Sequence, residues 1–333
     1  MKNNYKAWEI NLEEFNNLSS EEEKLRFLIN FAVLAPSSHN SQPWAFSVSD
    51  NYIKITKDDN RSLPVGDSND RQLYISLGCA LENILVAANY YGYSTEVKIE
   101  NDIFVSLSKD GVQENDLALS IPKRMVNRSK YKDQQISNDL MSQIKSLESD
   151  ELKISIIQDE KIKSDLADVA LDATAESMSN KSFRSELSKY VISNTSSKKI
   201  GMPGFGLGFP TPPSYFAPFM LKNFDLSKIT KKQDEPLLKK FTPYMVVIST
   251  KENNEKSWVE AGRVFQKLSL MACKEDVSFA VWAAPIQIGD HYKKVQELLG
   301  IDFRPQMFFR MGYATSDMGG HSPRIPANEV TSK

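Results

Sequence analysis

Sliding the chain along itself until Gly78 meets Gly262 lays the segment 78–88 on the segment 262–272. Ala88 then meets Ala272, and Ala80, Leu81, Ile84, Val86 and Ala87 meet Val264, Phe265, Leu268, Leu270 and Met271. Small residues at matching helical positions let two backbones approach closely, so the match restricts what the chain can build. Amphipathic helices also match one another by chance. A helix recurring in the same role in each half favours two related halves fused in one chain. The pattern predicts long apolar helices over 71–92, with Gly92 as a C-cap, and over 257–275.

The surroundings fill in the remaining elements. Ser20 and Glu23 form a capping box ahead of Leu25, Leu28, Phe31 and Ala32, and Pro36 stops that helix. Strands are predicted over 45–49 and 52–57 around an Asp50-Asn51 turn, and over 94–100, 103–108, 243–250 and 306–314. Helices with polar faces are predicted over 137–147 and 161–190. The stretch 200–220 reads as the longest irregular segment. Its glycine-rich run from Gly201 to Phe209 matches neither nucleotide-binding glycine motif, and prolines 203, 210, 212 and 213 crowd it, as in a lid. The fold class is α+β: mixed or antiparallel sheets flanked by helices, with two related halves forming a pseudo-dimer. The halves are expected at 1–120 and 121–333, the second carrying a lid-like insertion around 200–220.

Composition removes several function classes. Forty-one Lys and Arg against forty-three Asp and Glu leave a net charge of −2, without the basic excess of a general nucleic-acid binder. No apolar run approaches the ~18 residues of a spanning helix, and the first residues lack a signal-peptide core, so a cytoplasmic protein without a membrane partner is expected. Cys79 and Cys273 sit in apolar helical patterns and read as buried thiols. The histidines, His39, His291 and His321, lack metal-ligand spacing, so no metal is expected.

Three polar clusters remain. The string from Pro36 to Trp44, PSSHNSQPW, combines a stiff turn, two hydroxyls and the Asn40 amide, a mixture suited to the edge of a planar heterocycle. Arg124 and Arg128 stand four apart, and the arginine fork matches phosphate. Arg324 lies in Ser322-Pro-Arg-Ile-Pro326, held extended by prolines. Taken singly, these strings also fit a helix-end turn, a solvated basic turn and an exposed tail.

In their order along the chain the clusters resemble the FMN-dependent nitroreductase family, most closely its two-module, Acg-like branch. Asn60-Arg-Ser-Leu-Pro64, the run from Asp70 to Gly78, Trp258-Val-Glu-Ala-Gly262 and the run from Arg304 to Gly312 extend the likeness. It covers about residues 24–330, with 150–240 weakly matched. The resemblance implies an FMN site at the seam between the halves. It carries flavin contacts to Pro36, Ser37, Ser38 and Asn40 on one side and to Arg124 and Arg128 on the other, with Arg324 at the phosphate. Gln42 and Trp44 would position the loop. Val126 departs from the pattern, standing where Ser or Thr is common. The implied activity is hydride transfer from NAD(P)H through FMN to a small acceptor such as a nitro or quinone compound, with no side chain acting as acid or base. The flavin-site strings occur once each, so one FMN per chain is expected, and one chain suffices for one site although a homodimer is possible. An FMN storage protein is the alternative, closed by Phe205, Phe209, Tyr215, Phe216 and Phe219. A flavin-dependent dehydrogenase or dehalogenase is a further one.

Overall fold

The computed structural model describes residues 3–49, 51–109 and 116–332; Asp50 of the expected turn lies outside them. After two short 3-10 turns, the first part runs α1 (Glu21–Ala32), β1 (Trp44–Ser49), β2 (Tyr52–Lys57), α2 (Arg71–Tyr90), β3 (Ser94–Ile99) and β4 (Ile103–Ser108). The second begins with α3 (Asn138–Lys145) and β5 (Leu152–Ile157). It continues through α4 (Glu160–Ser179), α5 (Lys181–Tyr190), β6 (Val191–Ile192), β7 (Met202–Pro203), α6 (Thr211–Ser214), α7 (Ala217–Asn223) and α8 (Ser227–Lys239). Then follow β8 (Tyr244–Thr250), α9 (Glu255–Lys274), β9 (Ser278–Val281), α10 (Ala284–Gln287), α11 (His291–Leu299), β10 (Arg304–Gly312) and α12 (Ala327–Val330).

The two large sheets share one plan. The strand orders are β1-β2-β4-β3 and β5-β8-β10-β9, each antiparallel throughout. In both, the third strand of the chain lies at the edge beyond the fourth, and the long helix follows the second strand. The architecture is α+β, built twice. The second copy differs by its insertions: α4 to α8 before β8, and α10 and α11 before β10.

The repeated glycines explain how the copies meet. A Cβ at Gly78 would lie 2.0 Å from the Val259 carbonyl oxygen, and one at Gly262 would lie 2.0 Å from the Ile75 carbonyl oxygen. Each glycine therefore faces the residue three positions before the other, the reciprocal contact of a two-fold axis. No side chain fits there. α2 is buried along almost its whole length, which corrects the reading that no segment is apolar enough to span. It has 20 residues at hydropathy 1.2, and 83% of the window is buried inside the protein. By length and composition it could cross a membrane; here its apolar surface is used against α9, α1 and the first sheet.

Burial in the sheets follows the layers. β2 and β4 alternate, with Ile53, Ile55, Ile103 and Val105 buried between less buried neighbours. β8 is buried at every position because both faces are covered. Val246 and Ile248 join the main core beside Phe265 and Leu268 of α9, whereas Met245 and Val247 join a second cluster with Leu166 and Ala170 of α4 and Leu238 of α8.

Three sequence expectations change. The helix expected over 161–190 is two helices, because the Asn180 side chain accepts from the Ser182 and Phe183 amides and starts a new one. The stretch 200–220 is largely ordered. Pro212, Pro213 and Pro218 occupy first-turn positions of α6 and α7, where a missing N–H costs nothing. Cys79 is buried as expected, but Cys273 is partly exposed.

Candidate functional site

Beyond α1 the chain turns sharply, and His39, Asn40 and Gln42 take positive φ values of 53°, 55° and 54°. L-residues adopt this region at a cost, so neighbours must hold it. The Gln42 amide donates to Ser37 Oγ at 2.9 Å. The Gln42 side chain donates to the Lys199 carbonyl at 2.7 Å and accepts from the Ile325 amide at 2.9 Å. Asn40 Nδ2 donates to the Gly201 and Pro323 carbonyls, both at 2.9 Å, and Asn40 Oδ1 accepts from Arg324 at 2.6 Å. Two side-chain amides thus bind the first-half loop, the 199–201 segment and the C-terminal tail into one unit. Gln42 does position the loop. Trp44 acts by packing alone: it is fully buried and its Nε1 has no hydrogen-bond partner.

Arg124 and Arg324 converge behind that loop. Both donate to the Leu34 carbonyl, at 3.3 and 3.4 Å, just past the end of α1. Arg324 also reaches the Ala35 carbonyl at 3.1 Å, and its guanidinium lies 4.9 Å from the Trp8 ring centroid. Both arginines are buried, at 2% and 4% exposure, and among the described residues neither makes an ion pair with a carboxylate. Burial pushes Arg124 down to about 10, and burial together with Arg124 pushes Arg324 well below the usual arginine value. Among the described residues, Nε and Nη1 of Arg124 and Nε of Arg324 have no hydrogen-bond partner. Two adjacent buried cations with unsatisfied donors are costly by themselves and call for an anion.

Arg128 donates to the Gly206 carbonyl at 3.1 Å. Its own carbonyl accepts at 2.9 Å from Arg310 of β10, which also binds the Ser129 carbonyl at 2.6 Å. Pro36, Ser37, Ser38, Asn40, Arg124, Arg128 and Arg324 all line one cavity of about 350 Å³, within the range of small-molecule sites. Its wall includes Ile75, Ser76 and Cys79 of α2, Phe265 of α9 and residues 205–207 of the insertion, so it lies at the seam. Among the described residues, the wall contains three arginines and neither Asp nor Glu.

No family profile matches the chain. Proteins of two Mycobacterium tuberculosis strains, provisionally named NAD(P)H nitroreductases, are each 32% identical over 118 residues. The chain is similar to those two proteins over that stretch. The matched stretch is 33% of this chain and 34% of each relative, so the chain spans about a third of their length. Among solved structures, an FMN-dependent nitroreductase of Mycobacterium smegmatis in complex with NADPH is similar at 16% identity and TM-score 0.44, covering 66% of this chain and 99% of its own. A nitroreductase with bound FMN from Desulfitobacterium hafniense is similar at 12% identity and TM-score 0.42, covering 66% and 98%.

Some wall residues had no distinct sequence signal. His39 was visible only as part of its string, and His321 and Trp8 stack at 3.8 Å without any motif to mark them. Burial, with nearby arginines adding to it, pulls His39 and His321 down to about 4, so both are neutral at pH 7. The five-aromatic lid is corrected. Phe205 lines the cavity and Phe209 packs in a satellite core, but Tyr215, Phe216 and Phe219 are exposed. Val126 lines the cavity with an apolar side chain where a hydroxyl was expected from the resemblance.

The related position on the other side of the α2–α9 contact is built differently. Under the repeat, Ser76 and Cys79 correspond to Glu260 and Arg263. Arg263 pairs there with Glu260 at 2.8 Å and with buried Glu82 at 3.2 Å.

Proposed function

We propose that this chain is an FMN-dependent oxidoreductase that passes hydride from NAD(P)H to a small acceptor such as a nitro or quinone compound. The observation that carries the reading is the seam cavity, walled by three arginines with no carboxylate among the described lining residues, Arg124 and Arg324 each keeping a buried guanidinium nitrogen unpaired. That donor set fits a phosphate-bearing group; the family resemblance supports FMN as that group, and the relatives' names support NAD(P)H as the reductant. When bound, FMN supplies the hydride chemistry, and the protein supplies binding, orientation and charge.

Arg124 and Arg324 are assigned to the phosphate, since both guanidinium groups converge on the Leu34 carbonyl. Pro36, Ser37 and Ser38 offer the loop backbone and hydroxyls to the ring edge. Asn40 acts through the loop, because its side-chain amide is already engaged by Gly201, Pro323 and Arg324. Arg128 brings positive charge from the opposite wall and favours added electron density on the ring. The halves at 1–120 and 121–333 follow the shared strand order, one chain sufficing for one site. The Glu82–Arg263–Glu260 ion pairs at the related position favour one FMN per chain.

The test is a visible spectrum of the purified protein, followed by anaerobic NADH or NADPH. About one FMN per chain, bleached promptly, is the expected result. A bound flavin that stays oxidised would return the storage reading, which otherwise lacks its motivating lid. Failure to take up added FMN would sink the proposal.

A further inference from the structure

Among the described residues, seven large hydrophobic side chains are exposed, and six of them lie between Tyr215 and Ile229; Val65 is the other. This concentration is not a loose segment. α7 is anchored by Ala217 and Leu221, which are buried in a small core with Met178 and Val191. Its outward positions, Phe216, Phe219 and Met220, are 68%, 59% and 41% exposed, and Phe219 meets the 48% exposed Phe224 ring at 6.2 Å. A folded helix with an aromatic outer face needs an occupant for that face.

The charge around it names the occupant's chemistry. From Phe216 to Gln233 the chain carries Lys222, Lys228, Lys231 and Lys232 against Asp225, with Asp234 and Glu235 following on α8. All four lysines are exposed, and among the described residues neither Lys222 nor Lys232 makes an ion pair. Lys222 lies three residues beyond Phe219, one turn along the same face. Aromatic side chains beside lysines, on a chain whose net charge is −2, suit the headgroup zone of an anionic bilayer.

We propose that the α6–α8 face docks this protein on anionic lipid surfaces. This revises the sequence expectation of no membrane partner to peripheral binding, with α2 remaining inside the fold. The same insertion lines the cavity through Phe205, Gly206 and Leu207, so docking would bring the cavity wall near lipid. The proposal stands apart from the redox reading, because vesicle binding is measured without regard to flavin.

Flotation of the full chain with vesicles of phosphatidylcholine alone, and of phosphatidylcholine and phosphatidylglycerol in equal parts, tests it. Binding to the anionic vesicles only is expected, falling at high salt. Phe216→Glu/Phe219→Glu should abolish it, and Lys222→Glu/Lys232→Glu should weaken it by about tenfold or more, at roughly 1 kcal/mol per lysine. All four positions are exposed, so unchanged melting curves should confirm folding of both variants. No flotation with either vesicle overturns the proposal. So does a self-association seen by light scattering that Phe216→Glu/Phe219→Glu breaks while vesicles remain unbound, which would assign the face to a second copy.

Discussion

The two flanks of the α2–α9 contact start from equivalent positions and end as different environments. On one flank Ser76 and Cys79 are small enough to leave a cavity beside Arg124. On the other, Glu260 and Arg263 occupy the matching positions and close on Glu82 as an ion-pair cluster. The helix contact is shared because it depends on two glycines, whereas the flanks depend on side-chain volume and charge. The repeated plan supplies the frame, and the side chains at a few helix positions decide which flank carries the cavity.

The largest effect should come from the shared frame. Gly78→Ala and Gly262→Ala each drive a Cβ into a backbone carbonyl, and each should cost about 3 kcal/mol in denaturant melts despite alanine's helix preference. Similar losses at both sites are expected. A large loss at one and none at the other would break the two-fold equivalence.

The flanks should separate on ligand binding. Arg124→Ala should weaken FMN binding by at least about 30-fold, a cost of about 2 kcal/mol for truncating one partner of a buried charge pair. Without FMN the same variant should be as stable as the parent or more so, since it removes a buried, unpaired cation. Arg263→Ala should leave FMN affinity unchanged in the same titration. Equal losses at the two arginines would erase the distinction between the flanks.

The smallest effect is in pH dependence, and its sign should reverse between the flanks. His39 and His321 lie at about 4 in the fold against 6.5 unfolded, so the unfolded chain binds more protons in that window. Acidification through it should therefore cost stability, by about 1–2 kcal/mol for the pair after allowing for partial exposure. Burial raises Glu82, with Arg263 opposing, so the folded state binds its proton more readily and acidification favours the fold. Melts from pH 7 to 5 of the parent, His39→Asn/His321→Gln and Glu82→Gln read both contributions. The histidine variant should lose less stability on acidification than the parent, and the Glu82 variant should lose more.

Local signals account for what was legible in advance. Ser20 and Glu23 form the expected capping box, and β1 to β4 fall within a residue or so of their alternating stretches. The seven residues proposed for the cofactor stand in short strings, and the structure brings all seven to the wall of one cavity. Asn180 carried no visible break, since capping depends on a side-chain rotamer rather than on a backbone restriction. Trp8 and His321 stack from opposite ends of the chain, and no local pattern can announce that.

The sequence by itself determined the elements, the repeated helix and the chemistry of the loop and arginines, all of which are set by neighbours within a turn or two. Only the tertiary structure decided that α4 and α8 would cover the second face of β8, that Asn40 would be spent on the tail, and that one flank would stay open. Those outcomes depend on volumes, charges and hydrogen-bond partners brought together across more than a hundred residues, where chain order no longer indicates distance.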